Sequence, residues 1–268
     1  MLLSSVQLSA LDAEGYLFLP SRFTPAEVDV LRHHRDRIFG MGQRPEIVRE
    51  KVSGVPRTAF ACQTYDEAYR RLAAHPRLVE PVVQILGGDV YMHQFKINAK
   101  AAFDGEQWQW HQDYGTWVND DLMPEPRAMN ISVYLDDVTA CNGPLMIIPG
   151  SHKAGYLNAS HDTTTTSYPL WTLDHATVRA MADRGGLVAP LGPAGSMLMF
   201  HGNIVHASTA NMSPWDRSIV YLSLNRTDNA IRQFKRPAYI AHRDFAPIRT
   251  LADDCLLELA RSEAAVHA

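Results

Sequence analysis

Hydrophobic and polar positions follow two different periods along this chain, and the change between them lies near residue 89. Before it, amphipathic stretches with helical spacing predict three short helices, at residues 6–14, 24–40 and 76–86. The second of these has a clear start signal, with Thr24 as the N-cap, proline at the first helical position and Glu27 three residues after the cap. The short apolar run Tyr16–Leu19 predicts a strand. The first third of the chain is therefore expected to be mainly helical.

After residue 89 apolar and polar residues alternate, which is the pattern of half-buried β-strands. At the start of this region Val90, Met92 and Gln94 are expected on one face of a strand, because successive side chains point to opposite faces. The alternation is clearest at residues 128–135. Glycine and proline turns separate further short strands, predicted at residues 145–148, 197–200 and 219–224.

Helices followed by many short strands predict a mainly β fold with flanking helices, in which a double-sheet barrel is buttressed on one face. Two longer polar stretches, about 114–127 and 154–186, are expected to be loops over this scaffold. All-β enzymes of this length often form one domain. We expect a single domain over residues 1–268, with a helical buttress at about 1–88, a barrel core at about 89–245 and a C-terminal tail at 246–268.

Charge and cysteine content narrow the class of protein. The net charge is −4 and acidic and basic residues are intermixed, which argues against an electrostatic grip on nucleic acid or on an anionic membrane. The three cysteines are far apart and match neither a disulfide framework nor a CxxC metal pattern. The start of the chain lacks an export signal, and no apolar run approaches a membrane span. We therefore expect a cytoplasmic monomer or homodimer that acts on a small molecule.

A histidine and a carboxylate two residues apart on a strand point to the same face, so both can reach one metal ion. His111 and Asp113 have this spacing. A second histidine from a distant strand would complete a facial triad with open positions for a co-substrate and O₂. His201 and His206 are the two downstream candidates, and the spacing alone leaves both open.

The same tripeptide occurs twice more, so its neighbourhood decides. His34 and Asp36 lie in a predicted helix, where residues two apart diverge by about 200°, and a solvated helix face is expected. His242 lies near the C-terminus with no good distal partner, and a surface turn is expected there. His111 instead lies among aromatic residues suited to a water-poor cavity: Trp108, Trp110, Tyr114 and Trp117.

Arg217 is the second chemical signal. It lies eleven residues after His206, on the next predicted strand, with its guanidinium expected to point inward. A buried arginine needs an anion, and its planar fork matches a carboxylate. A dicarboxylate that binds iron at one end and Arg217 at the other fits this arrangement, which indicates an iron oxygenase.

Four segments carry a resemblance to a known family. Residues 110–113, 142–152 and 206–217 resemble the phytanoyl-CoA dioxygenase superfamily. With residues 93–98, they are similar to its bacterial branch of ectoine hydroxylases and hydroxylases of free amino acids such as leucine. The resemblance spans about residues 85–245 and is specific for fold and cofactor rather than for substrate.

The resemblance implies a double-stranded β-helix, a jelly-roll or cupin-like barrel, that uses Fe(II), 2-oxoglutarate and O₂. Its implied iron ligands are His111, Asp113 and His206. Arg217 matches the arginine for the distal carboxylate of 2-oxoglutarate, and Ser208 a hydroxyl beside it. Further positions implied around the co-substrate are Gln94, Lys96, Trp117 and Asn130.

Three of these residues bear on the reaction and the substrate. Related halogenases lack the carboxylate that Asp113 supplies, so the resemblance implies hydroxylation of an unactivated C–H bond. Lys96 stands where the ectoine branch has arginine, and Asn130 where it has serine, which makes ectoine itself doubtful. We therefore expect a small zwitterion, a free amino acid first and an ectoine-like or aminophosphonate compound second.

Further residues are predicted around the substrate. Arg57 is predicted to pair with an anionic group of the substrate, with a plain surface arginine as the alternative, and Tyr114 and residues 163–171 are predicted to form pocket walls. His152 is expected in a turn, and His201 on the barrel near the iron. A cupin-like metal-dependent isomerase or binding protein remains an alternative, against which Arg217 counts. An inactive oxygenase fold is the other, against which the intact triad counts.

Overall fold

The computed structural model describes residues 2–165 and 168–266. The helices are α1 (Ser5–Glu14), α2 (Pro25–Phe39), α3 (Glu67–Ala73), α4 (Pro76–Leu86), α5 (Asp113–Asp121), α6 (His175–Gly185) and α7 (Cys255–Val266). The strands are β1 (Tyr16–Leu19), β2 (Ile47–Arg49), β3 (Pro56–Phe60), β4 (Val90–Lys100), β5 (Trp108–His111), β6 (Ala128–Tyr134), β7 (Leu145–Ile147), β8 (Ser160–Asp162), β9 (Leu170–Thr172), β10 (Met197–His201), β11 (His206–Ser208) and β12 (Arg217–Arg226).

Two antiparallel sheets form a jelly-roll barrel. The larger has seven strands in the order β1-β10-β6-β12-β4-β3-β2, and the smaller has five in the order β7-β11-β5-β9-β8. Side chains from both sheets line one cavity between them. The predicted double-stranded β-helix is thus confirmed, and the space between its sheets is where a site can form.

A helical layer covers the other face of the larger sheet. Leu31 of α2, Val79 of α4 and Leu256 of α7 belong to one buried core with Ile131 of β6 and Ile97 of β4. Each such side chain contributes about 1.5–3 kcal/mol when it is fully buried. One face of the sheet is therefore closed by helices, and only its other face can serve the cavity.

The three predicted helices are confirmed as α1, α2 and α4. They could be predicted because their ends carry local sequence signals. At the start of α2, Glu27 N lies 3.3 Å from Thr24 Oγ1 and Thr24 N lies 2.7 Å from Glu27 Oε2, which completes a capping box. The helices α1 and α4 end at Gly15 and Gly87, with φ of 78° and 70°, in the left-handed conformation that glycine adopts without strain.

The first third of the chain is mainly helical, as predicted, but β2 and β3 were not predicted and join the larger sheet together with β1. The prediction of two long loops is wrong. The stretch 114–127 contains most of α5, and 154–186 contains β8, β9 and α6. Their polar residues gave no periodic signal, since some are buried by distant partners. The division into one domain of three parts stays a prediction.

A β-bulge in β4 overturns the predicted faces of its first half. Met92 pairs with Leu224 and Gln94 pairs with Ser223, the residue next to Leu224 in β12. His93, between Met92 and Gln94, is therefore an extra residue in β4 without a partner in the ladder. Met92 therefore lies in the core against the helices, whereas Gln94 lines the cavity. By contrast, the predicted alternation in β6 is confirmed.

The C-terminal segment is structured. The helix α7 buries Leu256 and Leu259 against the helical layer. Within residues 2–165 and 168–266, no helix is both long and apolar enough to span a bilayer.

Candidate active site

Two histidines on neighbouring strands and one aspartate form a metal-ligand cluster. His111 ends β5 and pairs directly with His206, the first residue of β11. The Nε2 atom of each histidine lies 3.6 Å from one of the two carboxylate oxygens of Asp113. The candidate ligand atoms all lie within 4.8 Å of one another, so a single ion can reach all three. The two histidines and one carboxylate match the facial triad of non-haem iron enzymes.

The position of Asp113 differs from the prediction in one respect. It is the first residue of α5 rather than a strand residue. Gln112 between the two ligands keeps an extended backbone, with φ −113° and ψ 132°, so the side chains two residues apart still reach one point. Gln112 is itself held, because its Nε2 donates to Asn203 O at 2.7 Å and to Gly155 O at 2.8 Å. The helix N-terminus also favours the carboxylate.

Backbone carbonyls orient both imidazole rings. Nδ1 of His111 lies 2.6 Å from Gln109 O, and Nδ1 of His206 lies 3.0 Å from Ile204 O. A proton on each Nδ1 leaves the Nε2 lone pair for a metal. Burial, with the neighbouring His111, lowers the pKa of His206 to about 4. His206 is therefore neutral at physiological pH, which is the state that binds metal.

The carboxylate of Asp113 is ionised and hydrogen-bonded. Burial by itself would raise its pKa, but His206, His111 and Lys96 hold the pKa of Asp113 well below its usual range. Asn130 Nδ2 donates to Asp113 Oδ2 at 2.8 Å. An ionised carboxylate beside two imidazoles provides the charge and the ligand atoms that bind a divalent iron ion.

Arg217 lies at the start of β12 with its side chain buried. Its guanidinium donates to the carbonyl of Gly143 and is hydrogen-bonded to the hydroxyl of Tyr221. Its buried Nε has no hydrogen-bond partner among the residues that the structure describes. A buried donor without an acceptor is costly, so this atom indicates a ligand that accepts its proton. A carboxylate of 2-oxoglutarate fits that requirement.

Gly143 is needed where the loop before β7 approaches this arginine. Its φ is 75°, and a Cβ at this position would lie 2.5 Å from Cδ of Lys100. A side chain here would push the loop away from Arg217. Lys100 is itself buried, and its Nζ donates to Glu106 O at 2.5 Å.

Every predicted metal and co-substrate residue lines the same cavity. These residues are Gln94, Lys96, His111, Asp113, Trp117, Asn130, His206, Ser208 and Arg217. The roles of the co-substrate residues stay predictions. Of the predicted pocket wall at residues 163–171, Tyr168 and Leu170 line the cavity, and residues 166 and 167 lie outside the described residues.

Lys96 supplies a cation within the cavity. Its Nζ lies 5.8 Å from the ring centre of Tyr221 and 6.0 Å from that of Trp108. Burial lowers the pKa of Lys96, against the attraction of Asp113. In the described part of the chain its ammonium makes neither a hydrogen bond nor an ion pair, so Lys96 is available to a ligand.

Sequence reasoning missed several cavity residues: Asn98, Thr116, Tyr221 and Arg236. Tyr221 had a usable signal, because it lies four residues after Arg217 and so on the same face of β12. Arg236 had none, since it comes from an irregular segment after the last strand.

Two predicted substrate residues do not reach the cavity. The hydroxyl of Tyr114 donates to Met123 O at 3.2 Å, and its ring packs against Tyr156. Arg57 is 1% exposed and pairs with Glu50 and Glu106 behind the cavity wall. Neither is among the described residues that line the cavity. Direct contact of either residue with a substrate stays a prediction.

Two histidines that were expected at the surface, His34 and His242, are buried. His34 is buried and not on a solvated face, because Asp66 lies 2.9 Å and Glu263 3.2 Å from its ring nitrogens. His242 is buried beside Gln63 rather than in a surface turn.

His152 and His201 lie together outside the cavity. His152 lies in a 3₁₀ turn, in agreement with the prediction, and its ring centre lies 5.5 Å from that of His201. Both line a separate surface pocket with residues of α1. His201 therefore faces away from the metal cluster, and the expectation that it approaches the iron is wrong.

Comparisons with known proteins agree with this geometry. The family model described as phytanoyl-CoA dioxygenase matches residues 11–219. An L-proline trans-4-hydroxylase of Streptomyces griseoviridis is 37% identical over 262 residues, which cover 91% of this chain and 97% of that protein. An ectoine dioxygenase of Sphingopyxis alaskensis is 34% identical over 257 residues, covering 90% of this chain and 83% of the other.

Solved structures share the fold over most of the chain. EctD from S. alaskensis with 2-oxoglutarate and 5-hydroxyectoine has a TM-score of 0.84 and 32% identity, covering 93% of this chain and 87% of that one. EctD with bound Fe has a TM-score of 0.82. In this chain the triad of His111, Asp113 and His206 fits an iron ion, and the site at Arg217 fits 2-oxoglutarate. The chain therefore belongs to the phytanoyl-CoA dioxygenase family and is a non-haem iron, 2-oxoglutarate-dependent dioxygenase.

Proposed function

We propose that this dioxygenase hydroxylates an unactivated C–H bond of a free amino acid, with a cyclic amino acid such as L-proline as the first candidate. The observation that carries this proposal is a second arginine in the cavity, Arg236, in addition to Arg217. Two separate arginines allow two separate carboxylates, one on 2-oxoglutarate and one on the substrate.

Arg236 is held rigidly. Its Nε donates to Asp121 Oδ1 at 2.9 Å, and its Nη2 donates to Asp121 Oδ2. Asp121 is fully buried at the end of α5. The same guanidinium is hydrogen-bonded to the hydroxyl of Tyr168. Burial by itself would lower the pKa of Arg236, but Asp121 and Tyr168 outweigh it and raise that pKa. The cation is therefore permanent and correctly placed before a substrate arrives, which reduces the entropic cost of binding.

An amino acid also carries an ammonium group, and the cavity is suited to it. The rings of Trp108, Trp117 and Tyr168 line the same space and attract a cation through their π faces. Gln94 donates from Nε2 to Ile240 O at 3.1 Å, which leaves its carbonyl oxygen as an acceptor. The cavity thus offers partners for both charges of a zwitterion.

Two further considerations favour an amino acid over ectoine. The match to the L-proline trans-4-hydroxylase covers 97% of that protein. Lys96 and Asn130 depart from the residues of the ectoine branch. An ectoine-like compound is the second candidate, because EctD with 5-hydroxyectoine shares the fold at a TM-score of 0.84.

The iron, when bound with 2-oxoglutarate and O₂, supplies the oxidation that replaces a C–H hydrogen with a hydroxyl group. The protein's own residues do the rest. Arg217 and Arg236 orient the two carboxylates. The aromatic rings that line the cavity, those of Trp108, Trp117 and Tyr168, exclude water from it. We also infer that the enzyme acts in the cytoplasm as a monomer or homodimer, without a nucleic-acid or membrane partner.

The test is a substrate panel with Fe(II) and 2-oxoglutarate. L-Proline, other free amino acids, ectoine and aminophosphonates are compared for succinate release and for a product that has gained one oxygen atom. An amino acid is expected to give the highest kcat/KM, and its methyl ester a much lower one. Arg236→Lys should retain part of the activity and Arg236→Ala little. A higher kcat/KM for ectoine or an aminophosphonate would overturn the proposal.

A further inference from the structure

The indole of Trp108 lies between the cavity and a buried arginine. Its ring centre lies 4.3 Å from Cζ of Arg57, which is not among the described cavity-lining residues. We propose that Arg57 is a positioning residue: it fixes the indole of Trp108 as a wall of the cavity and thereby sets how well the substrate fits. Arg57 acts through Trp108 and does not contact the substrate.

Arg57 is held from several sides. Its Nη1 lies 3.0 Å from Glu50 Oε2 and 2.7 Å from Glu106 Oε2, and its Nη2 donates to Gln107 O at 3.2 Å. Glu50 Oε1 accepts a hydrogen bond from Glu106 N at 3.1 Å. These bonds tie Arg57 of β3 to the segment that leads directly into Trp108 and β5. A guanidinium anchored in this way can hold an aromatic ring in one rotamer.

The charge of Arg57 is already met by two carboxylates. Glu50 and Glu106 both pair with its guanidinium, and burial lowers the pKa of the neighbouring Lys100 to about 6. A substrate carboxylate at Arg57 would have to displace one of these glutamates. Nε of Arg57, like Nε of Arg217, has no hydrogen-bond partner among the described residues, and Arg236 is also paired with a carboxylate. Arg57 differs from both because it is not among the described residues that line the cavity.

Trp108 is the residue of this arrangement that lines the cavity. Its side chain is half-buried, and it pairs with Ser208 across the smaller sheet. Its ring centre lies 5.7 Å from that of Tyr168, and Nζ of Lys96 lies 6.0 Å from it. All three of these residues line the cavity. A change in the rotamer of Trp108 would therefore alter the cavity, whereas the iron ligands would stay in place.

The first experiment needs no substrate. Near-ultraviolet circular dichroism is compared for the parent, Arg57→Met, Trp108→Phe and the double variant. Arg57→Met is expected to change the indole signal, and this change should be absent in the Trp108→Phe background. An unchanged signal, or the same change in both backgrounds, would overturn the proposal. If Arg57→Met does not fold, Arg57→Lys is expected to give a smaller change of the same kind.

The second experiment rests on the proposed function, because it uses the amino acid that the panel identifies. Arg57→Met should raise the KM for the substrate about tenfold and leave the KM for 2-oxoglutarate within about twofold. The double variant should lose no more than the larger single loss, since both changes remove one interaction. Additive losses would show that Arg57 acts independently of Trp108. A lower unfolding midpoint with an unchanged KM would show a purely structural role. If no amino acid is accepted, the proposed function fails, and the dichroism still decides the role of Arg57.

Discussion

Asn130 Nδ2 donates a hydrogen bond to Asp113 Oδ2 at 2.8 Å, and this bond connects the larger sheet to the metal cluster. Asn130 is itself oriented, because its Oδ1 accepts a hydrogen bond from Ser223 Oγ at 2.6 Å. The carboxylate that holds the metal is thus aimed by a chain of two side chains on adjacent strands. Groups of this kind commonly determine metal affinity as strongly as they determine geometry.

We predict that Asn130→Ala lowers the affinity for iron(II) by roughly 10–100-fold, because the carboxylate loses its orienting donor. Asn130→Ser should lower it less, since a hydroxyl can still donate. Calorimetric titration of the metal-free protein with iron(II) under anaerobic conditions measures both. Ser132→Ala is the matched control, because Ser132 lies two residues along β6 and its Oγ bonds Leu198 O at 3.3 Å. Equal affinities for Asn130→Ala and the control would contradict the prediction.

Removal of any iron ligand should abolish turnover without unfolding the protein. His111→Ala, Asp113→Ala and His206→Ala are expected to show no succinate release with any substrate, and a chelator should inactivate the parent reversibly. His201→Ala serves as the control, because His201 is a strand histidine that faces α1. Loss of activity in His201→Ala together with tolerance of His206→Ala would show that the distal ligand is misassigned.

Arg217→Ala should raise the KM for 2-oxoglutarate at least tenfold. The change leaves a buried carboxylate without its charged partner, a loss of roughly 2–5 kcal/mol. Arg217→Lys should restore only part of the affinity, because an ammonium cannot reproduce the guanidinium fork. Steady-state kinetics with 2-oxoglutarate as the varied substrate measure the effect. If Arg217→Ala leaves this KM unchanged while Lys96→Met raises it, Lys96 holds the distal carboxylate.

The buried pair of His34 and Asp66 should make stability depend on pH. Burial acts to lower the pKa of His34, but the hydrogen bond and charge of Asp66, with Glu263, outweigh it and raise that pKa overall. Despite burial, His34 lowers the pKa of Asp66. A raised folded pKa stabilises the fold below the unfolded pKa of histidine, and this contribution is lost as the pH rises through the folded pKa. The contribution of Asp66 is present above its unfolded pKa and is lost as the pH falls through its folded pKa.

The two contributions overlap between the unfolded pKa values of aspartate and histidine, about 3.9 and 6.5. His34→Gln should therefore reduce the free energy of unfolding by about 3 kcal/mol near pH 5.5 and by much less near pH 9. Urea unfolding at the two pH values measures the difference. His33→Gln, at the exposed neighbouring position, should have little effect at either pH. A loss for His34→Gln that does not change with pH would mean that His34 is neutral in the folded state.

The elements that the sequence determined by itself are those with local causes. The capping box of Thr24 and Glu27 is formed by residues three apart, so the start of α2 could be predicted, and Gly40 marks its end. The alternation in β6 could be predicted because its buried and cavity-facing residues follow each other directly. His111 and Asp113 are likewise two residues apart, and their side chains converge although a helix begins between them.

Only the tertiary structure decided which polar residues are buried and by what. Asp121 and Arg236 are 115 residues apart, and their pairing both buries the end of α5 and places a cation in the cavity. The bulge at His93 depends on the register of β4 against β12, which no local pattern of β4 reveals. Arg57 and His34 have carboxylate partners on other elements, and these partners bury His34 where a solvated helix face was expected. A buried charge requires a partner in space, and the spacing of residues along the chain does not show where that partner lies.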